Sequence, residues 1–434
     1  MKISRISPLL HEIMANIPVG QKIPLIVELD IEKITTERRS PFIPGARPLR
    51  HFPFVAAEVT LTEIQQLVED TTILHIWPDL PVYAFLDISV PLIRAPRVWD
   101  IGYTGDGVKV GVVDSGIDPH HPDFKGRIAE TYSAIGDDGI DRFGHGTHVA
   151  GIIAGDGKAS RGKYKGVAPG AVLYSAKVLK DDGSGRSSDV LSGLEWLYSR
   201  HVQVINMSLG TPGPCDGTDA VSYFCNKLVE EHGIVIVAAA GNNGPASKTI
   251  GSPGCAEKVI TVGATTDMDK IPDFSSRGPT EDGRKKPDVC FPGANITSAR
   301  AAGSSLGALR GDHYMELSGT SMAAPHASGL AALLLDANPN LTPKEVKEAI
   351  MSSAIDIGAD VLAQGAGRGD AFEAYKVSKI EKEPLSPTPK RPKTQEPKHP
   401  HVPPDTPPSP TEPNHPGKGC LGSIFPWKKL SHGT

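Results

Sequence analysis

Five stretches of this chain are apolar almost without interruption: VKVGVVD (108–114), AVLYSAKVL (171–179), VQVINMSL (202–209), GIVIVAAAG (233–241) and KVITVGA (258–264). A strand with one wet face alternates polar and apolar residues, whereas continuous runs of this length suit parallel strands covered on both sides. Helical patterns fall between the runs, at HGTHVAGIIAG, SSDVLSGLEWLYSRH and DAVSYFCNKLVEEHG. This βαβ rhythm predicts an α/β fold: an open, mostly parallel sheet flanked by helices on both faces. In such sheets, sites collect beyond the carboxyl ends of the strands.

The flanks read differently, and three segments follow: 1–85, 86–380 and 381–434. The first is a small α+β unit with strands PLIVELDI (24–31), FVAAEV (54–59) and ILHIWPDLPVYAF (73–85). Its helix TLTEIQQLVED (60–70) starts with Thr60 and Glu63 in capping-box spacing. RRSPFIPGARPLR, between its first two strands, is too rich in proline to be helical. The last segment is so dense in proline that it cannot bury a core, and it reads as a disordered, solvated spacer. It ends in GCLGSIFPWKKLSHGT, whose apolar, aromatic and basic residues form either a docking peptide for an unknown partner or a free end.

A formal charge of −5 spread over 434 residues offers no footprint for nucleic acid. No apolar run approaches the ~18 residues of a membrane span, and residues 1–20 lack the apolar core of a secretory signal. The expected compartment is the cytoplasm, with export by a non-standard route as the alternative. None of the five cysteines forms a CxxC pair, which disfavours a zinc site. Cys215 and Cys225 are near enough in sequence to bridge, but spacing does not decide it.

Four residues at element ends could carry chemistry. Asp114 closes a buried strand, where a carboxylate alone is more often a loop or helix cap. His145 opens a small-residue helix between Gly144 and Gly146, which permit close backbone approach; alone it would be a structural histidine. His148 follows three residues later, but without the Glu of HExxH a metal pair is disfavoured. Asn242 lies just past a strand, where its amide could donate to an oxyanion or form a turn. Ser321 enters an Ala/Leu-rich helix with Pro325 one turn in, facing N–H groups that lack intrahelical acceptors. A lone Ser there is usually an N-cap. A nucleophile, a base and a group that orients the base form a unit that none of them forms alone.

The phrases DSGID, HGTHVAG, AAAGNNGP and SGTSMAAPHASG, in that order, resemble the signature segments of the subtilisin-like serine proteases. The order Asp, His, Ser matches that family and differs from those of chymotrypsin and the α/β-hydrolases. The resemblance runs over about residues 92–378, includes FSSRGPTEDGRKKPDV, and comes nearest to the intracellular AprX-like branch. It implies a serine endopeptidase acting on protein and peptide substrates, with Ser321 as nucleophile, His145 as base and Asp114 as its orienter. Asn242 and the Ser321 N–H would bind the oxyanion. Substrate would lie extended between Gly183, Ser184 and Gly185 on one side and Ser208, Leu209 and Gly210 on the other. Small walls around Ala240 and Gly241 and at 252–254 suit a sizeable apolar P1 side chain, and Thr211 stands where relatives commonly have glycine.

No cofactor is implied for the chemistry. Asp123 sits where some relatives have a calcium ligand, but the basic GDGKASRGKYKG loop (155–166) disfavours a cation. The first segment resembles an inhibitor-type prodomain over VAAEVTLTEIQQLVEDTTILHIWPD and departs from it in the Pro-rich 40–49. The resemblance implies a zymogen whose arm enters the cleft, with Phe85–Leu86 as the self-cleavage bond. Rival readings are a binding scaffold with a dead site, a transpeptidase and a docking protein led by the tail. The first of these predicts a damaged set of four, yet Asp114, His145, Asn242 and Ser321 are all present.

Overall fold

The structure is a computed structural model, describing residues 5–18, 20–49, 52–79 and 88–379. The self-cleavage bond expected at Phe85–Leu86 and the Pro-rich segment lie outside the described residues. In the N-terminal unit, β1 (Lys22–Leu29), β2 (Arg47–Pro48), β3 (Phe54–Thr60) and β4 (Ile73–Pro78) form an antiparallel sheet in the order β2-β3-β1-β4. Burial alternates along β3, as expected where one face is covered. The inward side chains Leu25, Val27, Val55, Val59 and Ile76 pack with Ile64 and Leu67 of the helix Leu61–Glu69. That helix begins with both bonds of the Thr60–Glu63 capping box. Helices also form at Pro8–Asn16 and Ile31–Glu37; the second takes over where the expected first strand was to end. Asp30 halts the strand by accepting from the Lys33 N–H as an N-cap.

The larger part is built on seven parallel strands: β5 (Lys109–Asp114), β6 (Ile128–Ser133), β7 (Val172–Lys177), β8 (Val204–Met207), β9 (Val235–Ala239), β10 (Ile260–Thr265) and β11 (Val289–Pro292). Their order is β11-β10-β9-β8-β5-β7-β6. The five apolar runs are the five central strands, as expected. The two edge strands carry no such signal: IAETYS is largely wet, and the apolar run of the other is only VCF, between Asp288 and Pro292. Two cores lie on opposite faces of the sheet. Val110, Val112, Val204 and Val237 pack with the helices His145–Ala154 and Thr320–Ala337. Val113, Ile205, Met207 and Ile236 pack with Ser187–Ser199 and Ala220–His232. A small antiparallel sheet, β12 (Ile296–Ala299), β13 (Ala308–Leu309) and β14 (Tyr314–Leu317), leads into the helix Thr320–Ala337.

From β5 the chain runs to β6 at the edge, returns inward to β7 and then crosses to β8 on the other side of β5. The carboxyl ends of β5 and β8 therefore flank the topological switch point, where such a sheet opens a crevice.

Candidate active site

Asp114 ends β5 fully buried, and its Oδ1 accepts from Nδ1 of His145 at 2.8 Å and from the Ser115 N–H at 2.7 Å. A carboxylate only accepts, so His145 carries its proton on Nδ1 and leaves Nε2 as the basic nitrogen. Gly146 makes this approach feasible: a Cβ there would strike the Gly116 carbonyl and crowd the Asp114 side chain. Burial pulls the His145 pKa down, but the charge and hydrogen bond of Asp114, with the charge of Asp141, raise it overall. His148, one turn on, is buried and driven to about 3, first by desolvation and then by the charge of His145. Its Nε2 donates to the carbonyls of Ile296 and Met315, a structural role.

Ser321 is the second residue of the helix Thr320–Ala337. Pro325 lies beyond the first turn, whose N–H groups lack intrahelical acceptors and in which proline was expected to fit. Having no N–H, it leaves the Ser321 carbonyl without its i+4 donor. The Ser208 hydroxyl donates to that carbonyl instead, at 2.8 Å. In return the Ser321 hydroxyl donates to the Ser208 carbonyl at 2.9 Å, so Oγ rests on the end of β8 and not on His145. Proline thus couples the start of the helix to the neighbouring strand end, a link that lies 113 residues apart in the chain.

Asn242 follows β9. Its Oδ1 accepts from the N–H and hydroxyl of Thr320, at 2.9 and 3.0 Å. These donors fix the amide and leave Nδ2 as its donor for another acceptor. The Thr320 hydroxyl also accepts from the Gly241 N–H at 3.1 Å. Thr320 was not among the expected site residues; its place directly before Ser321 was the available signal.

Two depressions meet at this edge. One of about 750 Å³ is lined by His145, Gly183, Ser184, Gly185, Ser208 and Leu209 among others. A smaller one of about 280 Å³ is lined by Gly210, Ala240, Gly241, Asn242 and Ser321 among others. The structure therefore gathers the residues expected to act and to bind substrate. Thr211 borders both depressions.

Asp123 stands apart from this set. It is buried, Oδ1 accepts from the Ala159 N–H at 2.8 Å and Oδ2 from the Tyr314 hydroxyl at 2.7 Å. The 155–166 loop thus offers this carboxylate a donor, where a calcium ion would need oxygen ligands. These residues do not fit the calcium site seen in some relatives. Cys215 pairs with Cys255, not with Cys225. Cys225 instead faces inward from the helix Ala220–His232, 3.6 Å from the Met207 sulfur.

Residues 105–381 match the subtilase family. Serine protease AprX of Bacillus subtilis (strain 168) is 41% identical over 326 residues, 68% of this chain and 72% of that protein. Subtilisin E of the same strain is 37% identical over 324 residues, 72% of this chain and 79% of that one. The crystal structure of a cold adapted subtilisin-like serine proteinase superposes with a TM-score of 0.51 at 32% identity, covering 62% of this chain and 89% of that one. The α/β frame is subtilisin-like, and the protein is a subtilisin-like serine endopeptidase. The chain belongs to the subtilase family. Subtilases need no cofactor for catalysis, and no helix among the described residues is long and apolar enough to cross a membrane.

Proposed function

We propose that this endopeptidase works through an acyl-enzyme on Ser321, with His145 as general base and Asp114 as the group that orients it. The observation that carries the reading is the 2.8 Å bond from His145 Nδ1 to Asp114, which leaves Nε2 as the basic nitrogen of a residue that lines the crevice. Rotation of the Ser321 side chain transfers its hydrogen bond from the Ser208 carbonyl to Nε2. As Oγ bonds to the scissile carbonyl carbon, its proton passes to Nε2, and Asp114 stabilises the imidazolium. The oxyanion accepts from Asn242 Nδ2 and from the Ser321 N–H, a first-turn donor without an intrahelical acceptor. Collapse breaks the C–N bond and His145 returns the proton to the leaving amine. Water then repeats the sequence on the ester.

Substrate binds as an added strand between 183–185 and 208–210, with an apolar P1 side chain against Ala240 and Gly241. The N-terminal unit acts as prodomain and inhibitor, and the chain cuts itself at Phe85–Leu86. The Pro-rich tail is a spacer that ends in a free end or in a docking peptide for an unknown partner. The Cys215–Cys255 disulfide favours export over the cytoplasm, because disulfides persist in oxidising surroundings.

Intact mass and N-terminal sequencing of the wild type beside Ser321→Ala, with casein hydrolysis, test this reading. Wild type is expected to lose about its first 85 residues and to digest casein; the variant stays whole and inert. Hydrolysis by Ser321→Ala would remove the nucleophile assignment. A full-length wild type that digests casein would remove self-processing alone.

A further inference from the structure

Within AVLYSAKVL, an otherwise apolar and hydroxyl-bearing run, Lys177 is the one charged residue, and its side chain is completely buried. A lysine in that position must be fully paired, since desolvating an unpaired ammonium costs several kcal/mol. Lys177 ends β7 and lies in register with Asp114 at the end of β5. Its Nζ donates to the Ser115 carbonyl at 3.0 Å, to the Ile140 carbonyl at 3.2 Å and to Asp181 Oδ1 at 2.7 Å. All three of its protons are thereby used, and Asp137 stands 3.6 Å away.

The two carbonyls belong to the segments that hold the candidate dyad. Ser115 follows Asp114 and donates its N–H to the Asp114 carboxylate. Its hydroxyl donates to Asp141 Oδ1 at 2.9 Å and accepts from the Gly146 N–H at 3.0 Å. Ile140 precedes Asp141, which accepts from the N–H of Gly144 and from the N–H and hydroxyl of Thr147, on either side of His145. One ammonium therefore clamps the chain leaving Asp114 to the chain entering His145, immediately behind their mutual hydrogen bond.

We propose that Lys177 is a positioning residue of the hydrolytic reaction, holding the Asp114 and His145 segments at the spacing their hydrogen bond requires. This rests on the triad reading above. The ammonium touches neither substrate nor reacting atoms in that mechanism; it acts through two main-chain carbonyls. Its two carboxylate partners are half to one-third exposed and can be replaced by water, whereas the contact to the Ser115 carbonyl is buried and that to the Ile140 carbonyl part-buried.

The test is Lys177→Met in the full chain, with kcat, KM and the pH profile of kcat/KM measured on a peptide anilide and normalised to processed chain verified by intact mass. The charged or titratable groups around His145 are Asp114, Asp141 and His148, with Lys177, Asp137 and Asp181 behind them. Two effects on the acid limb have opposite signs. Loss of a nearby positive charge by itself would favour imidazolium and move the limb to higher pH. Loss of Asp114 alignment weakens the hold on imidazolium and moves it to lower pH.

The expected result is a kcat lower by about 10²-fold, the scale of a 1 Å misplacement, with KM nearly unchanged and the limb shifted to lower pH. A limb that stays in place or rises overturns the proposal, whatever happens to thermal stability. Should the Met variant fail to fold, Lys177→Arg carries the test: it keeps the charge but cannot set one nitrogen against both carbonyls. A smaller shift to lower pH supports positioning, and a wild-type profile overturns it. Asp181→Asn, which leaves both carbonyl contacts in place, is expected to stay within about twofold of wild type; a loss as large as that of Lys177→Met would overturn the proposal by assigning the effect to the ion pair. Ser321→Ala run in parallel keeps the two readings distinct. If it is inert while the Lys177 variants behave as wild type, the triad stands and the positioning role falls.

Discussion

The two sheets of this molecule solve the burial problem in opposite ways. In the seven-stranded sheet, β8, β9 and β10 are buried at every residue because helices cover both faces. In the N-terminal sheet the inward side chains of β1 are buried, while Lys22 and Pro24 on the other side are exposed. Phe54, His75 and Trp77 on β3 and β4 stay half-buried, with the Trp77 ring set against each of the other two. A sheet covered on both faces has little free surface except at its strand ends, and that is where Asp114 and Ser208 lie. A sheet covered on one face keeps a broad surface for something else to meet. The difference separates a part that carries chemistry at an edge from a part suited to contact.

The sharpest way to break this contrast is at the strand ends. Asn242→Ala is expected to lower kcat by about 10²–10³-fold with little change in KM, a range established on a subtilisin and so carried over from a relative. A loss mainly in KM would mean that Asn242 binds substrate and not the oxyanion. Core truncation comes next. Ile236→Ala in β9 should cost about 2–5 kcal/mol and lower the unfolding midpoint of the catalytic part. Leu25→Ala in β1, equally buried but in a separate core, should cost a similar amount while leaving the midpoint of the catalytic part in place. Calorimetry that finds one shared transition shifted by both variants would erase the distinction between the regions.

A third prediction concerns pH. The His145 pKa is raised above its ordinary 6.5 because Asp114 and Asp141 outweigh burial. The base must be neutral, so activity is lost as pH falls through this raised value, and the acid limb of kcat/KM should lie above 6.5. A limb below that value would mean that desolvation prevails. The smallest expected effect is at a helix start. Thr60→Ala removes the capping box of the N-terminal unit and should cost about 1 kcal/mol there, read by urea unfolding, without altering peptide hydrolysis by the processed enzyme.

Much of this architecture was legible because its signals are local. Continuous apolar runs announced β5, β7, β8, β9 and β10, and the Thr60–Glu63 spacing announced a helix that begins with both of its capping bonds. The edge strand β6 was not legible because it is partly wet and loses the apolar signature, and β11 because its apolar run, between Asp288 and Pro292, is too short to announce a strand. The helix Pro8–Asn16, which Ser7 caps through the Leu10 N–H, was not legible because His11 and Glu12 interrupt its apolar residues. Asp114, His145, Asn242 and Ser321 were readable as candidates from residue type, order and position at element ends.

What those residues do for one another was decided by folding. Proline at 325 signals a missing helix bond in any sequence, but that Ser208 supplies the donor follows from where β8 ends. Thr320 sets the Asn242 amide, Cys255 takes Cys215 from the sequence-nearer Cys225, and Lys177 reaches two carbonyls beside the dyad. Periodicity and capping act over a few neighbours and are written in the chain itself. A hydrogen bond or disulfide between distant segments requires atoms to meet within a few ångströms, and packing of the strands and helices sets that distance.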